Sequence, residues 1–113
     1  MEIIIKPTEA CNGTCAYCSA DGTLSKRKIL PREQLGRLFD IFAKWLRGAE
    51  RRNLRFLWHG GEPMLCGPDY YAEITRQQQR AFGDDLGRVR NAMQSNLSLV
   101  DERWVPVLRE LLK

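Results

Sequence analysis

Three cysteines near the start of the chain are the residues best suited to metal chemistry. Cys11, Cys15 and Cys18 form a CxxxCxxC run in a segment without apolar periodicity. Soft thiolates of this kind bind zinc or iron–sulfur clusters. A structural zinc site usually takes four ligands, often from paired CxxC knuckles, whereas three thiolates on a cubic cluster leave one iron open. The spacing therefore favours a three-cysteine iron–sulfur cluster over zinc.

Two further residues could join such a site. Cys66 is the fourth cysteine, far from the other three along the chain, and His59 is the only histidine. Buried thiols are common packing residues, so we expect Cys66 to pack rather than to bind metal. We also expect backbone groups to satisfy His59 at the end of a strand, in preference to an acid–base role.

A glycine-rich segment with one carboxylate follows the second apolar run of the sequence. It reads Gly60-Gly61-Glu62-Pro63. Paired glycines let a ligand approach the backbone closely, and a fixed carboxylate can hold a ligand ammonium group by a charge-assisted hydrogen bond. A plain strand-to-helix turn would also suit these residues, because Glu62 is favourable near a helix N-terminus. Both interpretations stay open at this point.

A third polar segment, Gln94-Ser95-Asn96, closes the third predicted strand. Serine and asparagine are ordinary loop residues, so the segment gains its interest from its position. Like the cysteine run and the glycine-rich segment, it follows a strand directly. Parallel α/β proteins build their sites at the carboxyl ends of strands. We therefore expect Ser95 and Asn96 to share one site with the other two segments.

The three segments are positioned by strands and helices, which alternate along the sequence. Strands are expected at residues 2–6, 54–58 and about 88–94. Helices are expected from Pro31 to Gly48, from Gly67 to Gly83, and from Asp101 to Leu112 with a kink or late start at Pro106. A long loop, residues 8–29, carries the three cysteines. The order predicts an α/β fold of three consecutive βα units with a parallel sheet.

The three units are expected to form the first part of a larger fold. A parallel sheet normally carries helices on both faces, and three right-handed units cover only one. The sequence also ends at Glu110-Leu111-Leu112-Lys113 without a glycine helix cap. We therefore expect residues 1–113 to be a truncated domain, the beginning of an α/β barrel or open sheet.

Composition and charge are those of an ordinary globular protein. The chain has 113 residues, of which 43% are hydrophobic and 28% charged. No apolar run approaches the ~20 residues that cross a bilayer, and the N-terminus lacks a secretory signal. We therefore expect a cytoplasmic protein without a membrane partner. The net charge of +4 lies partly in Lys26-Arg27-Lys28 and Arg51-Arg52, but without interleaved aromatics a nucleic-acid partner is not expected.

The chain resembles the N-terminal part of the radical S-adenosylmethionine (SAM) superfamily in three segments, CNGTCAYC, WHGGEP and QSN. The resemblance implies a full or partial parallel α/β barrel, of which the three βα units are the N-terminal half. It implies that Cys11, Cys15 and Cys18 hold a 4Fe–4S cluster with one iron left for SAM. It also implies that the GGEP segment holds the amino group of the methionine part of SAM. The SAM-binding residues expected on this basis are Gly60, Gly61, Glu62, Pro63, Ser95 and Asn96.

Within the superfamily, the sequence is similar to SPASM-type maturases, which include anaerobic sulfatase maturases and modifiers of ribosomally made peptides. That subgroup usually reads QTNG after its third strand, whereas here Ser95 replaces Thr and Leu97 replaces Gly. The cysteine-rich C-terminal extension of the subgroup is absent from this chain. The catalytic residues of the subgroup are not assigned to positions in this sequence.

The activity implied by the resemblance is radical chemistry on a peptide or protein substrate. A reduced cluster cleaves SAM to methionine and a 5′-deoxyadenosyl radical, which abstracts a hydrogen atom from the substrate. A low-potential electron donor such as a flavodoxin or ferredoxin is implied as a partner. This chain alone is expected to be incomplete or inactive as an enzyme.

The alternative interpretation is a zinc-binding module without catalysis. Cys11, Cys15, Cys18 and Cys66 would then hold structural zinc, and the basic loops would contact nucleic acid. This alternative gives no role to the GGEP segment.

Overall fold

The computed structural model describes residues 1–18 and 28–113. Lys26 and Arg27, from the predicted basic cluster, lie outside the described residues, as does part of the predicted long loop. No helix in the described part of the chain is both long enough and apolar enough to cross a membrane.

The described residues contain three strands and three helices in alternation, together with two short 3-10 helices. The strands are β1 (Glu2–Ile5), β2 (Leu54–Trp58) and β3 (Val89–Met93). The helices are α1 (Arg32–Arg47), α2 (Pro68–Phe82) and α3 (Trp104–Leu111). The 3-10 helices are Pro63–Cys66 and Gly83–Arg88. The predicted α/β class with three consecutive βα units is confirmed.

The three strands form a parallel sheet in the order β1-β2-β3. Ile5 pairs with Trp58, and Trp58 pairs with Met93, so the three strands end at one level. Because parallel strands share one carboxyl edge, the segments that follow them must meet there. The cysteine run, the GGEP segment and the QSN segment are those three segments.

The helices cover one face of the sheet with an aromatic core. The Phe56 ring in β2 lies 5.3 Å from Phe39 and 5.9 Å from Phe42 of α1, and 6.2 Å from Phe82 of α2. Burying each large apolar side chain stabilises the fold by about 1.5–3 kcal/mol. Successive side chains of a strand point to opposite faces, and Ile4, on the face away from the helices, is 60% exposed.

The boundaries of α3 differ from the prediction in an informative way. The helix begins at Trp104, so Pro106 lies in its first turn, where a missing N–H is tolerated. The predicted late start is therefore confirmed. Asp101 does not cap the helix; its carboxylate accepts a hydrogen bond from the Arg103 N–H at 3.0 Å and forms a local turn.

Candidate functional site

Backbone pairing between the first two strands continues beyond their ends and joins two of the polar segments. We call residues 60–63 the Glu62 turn. The Gly61 N–H donates to the Thr8 carbonyl at 3.2 Å, and the Glu62 N–H donates to the Ala10 carbonyl at 2.8 Å. The Glu62 turn is therefore fixed against the segment that leads directly into the cysteine run.

The two glycines of the Glu62 turn are required by this close backbone approach. Gly60 has φ +126°, and a Cβ atom there would lie 2.6 Å from the Thr8 carbonyl oxygen. A Cβ atom on Gly61 would lie 2.0 Å from the Ala10 carbonyl oxygen. From the sequence alone, both the approach of a ligand and a plain strand-to-helix turn could explain the glycines. In the structure, the groups that exclude a side chain are carbonyls of the chain itself.

Glu62 is a buried carboxylate, with 1% of its surface exposed. Its Oε2 atom accepts from the Met64 N–H at 2.8 Å, as a cap for the 3-10 helix that begins at Pro63. Its Oε1 atom accepts from the Ser95 hydroxyl and from the Asn96 N–H, both at 2.8 Å. A buried charge without such donors would be strongly unfavourable. The contacts therefore account for how the chain can bury Glu62, and they join the ends of β2 and β3.

The segment after β3, residues 94–98, is called the β3 turn. Ser95 and Asn96 both contact Glu62, so the structure brings together the two polar segments that the sequence placed at one edge. Leu97 has φ +60°, and its N–H donates to the Ser95 hydroxyl at 2.9 Å. Leu97 occupies the position where the similar subgroup carries glycine. The left-handed backbone is present here with a leucine, which costs about 1–2 kcal/mol.

A ring of three polar side chains connects the β3 turn to the cysteine run. Asn96 Nδ2 donates to Asn12 Oδ1 at 2.9 Å, and Asn12 Nδ2 donates to Ser98 Oγ at 2.9 Å. Ser98 Oγ donates to Asn96 Oδ1 at 2.7 Å and closes the ring. Sequence analysis missed Asn12 and Ser98. The available clues were their positions, inside the cysteine run and two residues beyond Asn96.

The cysteine run, residues 11–18, is called the cysteine loop. Cys11 is half-buried, and Cys15 and Cys18 are exposed. A Cβ atom on Gly13 would lie 3.8 Å from Cys11 Sγ and 3.9 Å from Cys15 Sγ, so these two thiols flank one residue. Among residues 1–18 and 28–113, no three Cys, His, Asp or Glu side chains form a set that could hold a metal ion. The loop brings two thiols together without closing a three-thiol set.

The remaining candidates, Cys66 and His59, have structural roles. Burial, with the nearby charge of Glu62, raises the pKa of the Cys66 thiol to about 12. Cys66 is therefore a neutral thiol at ordinary pH, and it packs against the buried core as expected. His59 Nδ1 accepts a hydrogen bond from the Gly60 N–H at 2.6 Å. The prediction that backbone groups satisfy His59 is confirmed.

Comparison with known proteins connects this geometry to a family. The family model of the Radical SAM superfamily matches residues 5–112. A serine-type anaerobic sulfatase-maturating enzyme from Klebsiella pneumoniae is 32% identical over 112 residues, covering 96% of this chain and 27% of that enzyme. A cysteine-type anaerobic sulfatase-maturating enzyme from Clostridium perfringens is 25% identical, covering 97% of this chain and 30% of that enzyme.

Solved structures with the same fold come from the same group of enzymes. Native anSMEcpe with bound AdoMet matches with a TM-score of 0.76 and 27% identity, over 96% of this chain and 30% of that one. Native anSMEcpe with bound AdoMet and the Cp18Cys peptide matches with a TM-score of 0.74 and 28% identity, over 96% and 28%. The chain thus spans less than a third of the length of these relatives. Since the family model covers nearly the whole described fold, the chain belongs to the radical SAM superfamily.

Proposed function

We propose that residues 1–113 are the N-terminal portion of a radical SAM core and that they bind a 4Fe–4S cluster and SAM. The observation that carries the proposal is the convergence of the cysteine loop, the Glu62 turn and the β3 turn at one edge of the sheet. Hydrogen bonds from Asn96 join all three segments, to Glu62 by its backbone and to Asn12 by its side chain. This is the edge at which parallel α/β proteins bind ligands.

The donor atoms of the cysteine loop fit the proposed cluster. Cys11, Cys15 and Cys18 supply soft thiol ligands, and the first two already flank Gly13. The Gly13 N–H donates to Cys11 Sγ at 3.4 Å, and N–H donors of this kind stabilise negative sulfur. When bound, the cluster and SAM together supply hydrogen-atom abstraction. Cys11, Cys15 and Cys18 would hold the cluster, and three thiol ligands would leave one iron for SAM.

The Glu62 turn is proposed to hold the amino end of SAM. Gly60, Gly61 and Pro63 shape the backbone, and Glu62 supplies the negative charge that an ammonium group needs. Ser95 and Asn96 fix the Glu62 carboxylate by hydrogen bonds, which supports their proposed place in the SAM site. Three donors already contact that carboxylate, so most of its capacity of about four hydrogen bonds is used. Glu62 therefore acts mainly by its position and charge.

The proposed substrate is a peptide or protein side chain, as in SPASM-type maturases. The similarity to enzymes that mature sulfatases supports this class of substrate, and so does the similarity to a structure that contains a peptide. A low-potential electron donor, such as a flavodoxin or ferredoxin, is the proposed second partner. Exposed thiols of a cluster site require a reducing compartment, so we propose that the enzyme works in the cytoplasm.

Metal analysis of protein purified without oxygen tests the proposed function. Iron and acid-labile sulfide in equal amounts, about four of each per chain, are expected for the cluster. Stoichiometric zinc without sulfide would overturn the proposal in favour of the zinc module. That alternative needs Cys66 as the fourth ligand and gives no role to the buried, hydrogen-bonded carboxylate of Glu62.

A further inference from the structure

The exposed side chains of Asn12, Asn96 and Ser98 form a closed ring of hydrogen bonds between two segments of the site. Each side chain donates to the next one in a single direction, from Asn12 to Ser98, from Ser98 to Asn96, and from Asn96 back to Asn12. Asn96 Oδ1 also accepts from the Ser98 N–H at 3.0 Å, which stiffens its side chain. Asn12 is 84 residues distant in sequence from Asn96 and 86 from Ser98, so the ring is a tertiary crosslink.

Asn12 is covalently next to the first proposed cluster ligand, Cys11. Asn96 holds Glu62 through its backbone N–H and holds Asn12 through its side chain. A continuous path of short bonds therefore runs from Cys11 through Asn12 and Asn96 to the Glu62 carboxylate. The backbone bond from the Glu62 N–H to the Ala10 carbonyl fixes the other side of Cys11. The first cluster ligand is thus tied to Glu62 from both of its neighbours in the chain.

We propose that Asn12, with Ser98, is a positioning residue that fixes the distance between the cysteine loop and the Glu62 turn. The inference rests on the proposed function, in which SAM must reach the open iron and the Glu62 turn at once. A ligand held at two points binds well only when the two points are correctly spaced, and errors of about 1 Å are costly. Hydrogen bonds define that spacing to within a few tenths of an ångström.

The side-chain chemistry at position 12 is specific to this task. Asparagine offers a donor and an acceptor on one short planar group, and both are used in the ring. Alanine would offer neither, and aspartate would present only acceptors, so the Ser98 hydroxyl could donate to the aspartate only by giving up its bond to Asn96 Oδ1. In this scheme Asn12 contacts neither the cluster nor SAM. Its replacement therefore weakens SAM binding through the changed spacing, while the cluster ligands remain.

The test uses the chain with its cluster reconstituted without oxygen. Asn12→Ala and Ser98→Ala are compared with Ser98→Thr, which keeps the hydroxyl, and with Asn53→Ala, an asparagine at the opposite end of the sheet. Iron content, SAM affinity by calorimetry and the spectral change of the cluster on SAM addition are measured. Loss of one or two hydrogen bonds predicts about a three- to tenfold loss of SAM affinity. Iron content stays at the level of the unmodified chain.

The double variant Asn12→Ala/Ser98→Ala separates a ring from two independent contacts. If the ring works as a unit, the double variant loses no more SAM affinity than either single variant. Ser98→Thr and Asn53→Ala bind SAM like the unmodified chain. The spectral change of the cluster on SAM addition is reduced only in Asn12→Ala, Ser98→Ala and their double variant. If Asn12→Ala does not fold, the pair Ser98→Ala and Ser98→Thr gives the same comparison.

Two outcomes would overturn the inference, and they differ in meaning. If the unmodified chain binds iron and SAM, and Asn12→Ala and Ser98→Ala do so with equal affinity, the positioning role is wrong while the proposed function stands. If the unmodified chain takes up no iron, or takes up iron but binds no SAM, the proposed function fails and the inference fails with it.

Discussion

The Glu62 turn and the cysteine loop lie at the same edge of the sheet but differ in how far the chain organises them. Glu62 is buried and contacts Met64, Ser95 and Asn96 at hydrogen-bond distance. In the cysteine loop, Cys15 and Cys18 are exposed. Two thiols, those of Cys11 and Cys15, flank Gly13, but the three cysteines do not form a set that could hold a metal ion. The turn that we propose to hold SAM is preorganised by the fold, whereas the proposed cluster ligands do not form a closed set before metal binds.

The difference has a physical cause. A carboxylate can be satisfied by N–H and O–H donors of the chain, so its site can form without a ligand. Thiols are weak hydrogen-bond donors and acceptors, so three of them do not hold one another in a closed set without a metal. The contacts of the cysteine loop include a backbone hydrogen bond from the Cys18 N–H to the Cys15 carbonyl at 3.0 Å, the Gly13 N–H to Cys11 Sγ contact and the Asn12 ring.

The largest expected effect tests the metal side of this comparison. Replacing Cys15 by Ala should abolish stable cluster binding, because two thiolates retain a cubic cluster poorly. Cys66→Ala is the matched control and should keep the iron content of the unmodified chain, since Cys66 is a neutral packing thiol. Iron and sulfide analysis after anaerobic reconstitution makes the comparison. Equal iron loss in both variants would show that the ligands were assigned wrongly.

The pH dependence of alkylation tests the role of Cys66 directly. A pKa raised from 9.0 to about 12 leaves about a thousandfold less thiolate at pH 8 than an unshifted thiol would have. Because the pKa is raised, the stability held by the neutral thiol is fully present below pH 9 and is lost as pH rises towards 12. Iodoacetamide labelling followed by mass spectrometry should find Cys66 slow at pH 8, with a rate that climbs up to about pH 12. Rapid labelling of Cys66 in folded protein at pH 8 would contradict this.

A matched pair of glycines tests how tightly the two regions are built. Gly61→Ala places a Cβ atom 2.0 Å from a backbone carbonyl and should lower the free energy of unfolding by about 2–3 kcal/mol or more. Gly13→Ala meets only ordinary contacts of 3.8–4.0 Å and should change the free energy little. Denaturant unfolding of both variants gives the answer. Equal losses would mean that the cysteine loop is as rigidly packed as the Glu62 turn.

Replacing Glu62 by Gln tests whether the buried carboxylate is needed before any ligand binds. An amide has one acceptor atom, so at least one donor among Met64, Ser95 and Asn96 would face an NH₂ group. A buried donor without a partner costs about 1–3 kcal/mol of unfolding free energy, and SAM affinity should fall as well. Glu73→Gln, on the surface of α2, is the control and should have a small effect. Unchanged thermal stability of Glu62→Gln would remove its structural role.

The fold could be predicted because its causes are local. Helical spacing of apolar residues gave α1 and α2, and the order of elements required the three polar segments to meet at one edge. The contacts of Glu62 with Ser95 and the ring through Asn12 could not be predicted in the same way. The partners are separated by 33 positions in the first case and by 84 in the second. Such polar pairs leave no periodic pattern in a sequence. The need for glycine at position 61 could not be predicted either, since the carbonyl that excludes a side chain there belongs to a distant segment.

The smallest expected effect concerns the β3 turn, which joins the two regions. Leu97 has φ +60° and is 62% exposed, so replacing it by Gly relieves backbone strain and loses little apolar burial. Strain relief is partly offset by the greater freedom of glycine in the unfolded chain, which leaves a net gain of about 0.5–1 kcal/mol. Leu97→Ala keeps the strain and should give no gain, so it is the control in thermal unfolding. A gain for Ala equal to that for Gly would place the effect in the side chain of Leu97, and a loss for Gly would show that leucine is favoured there by contacts of its own.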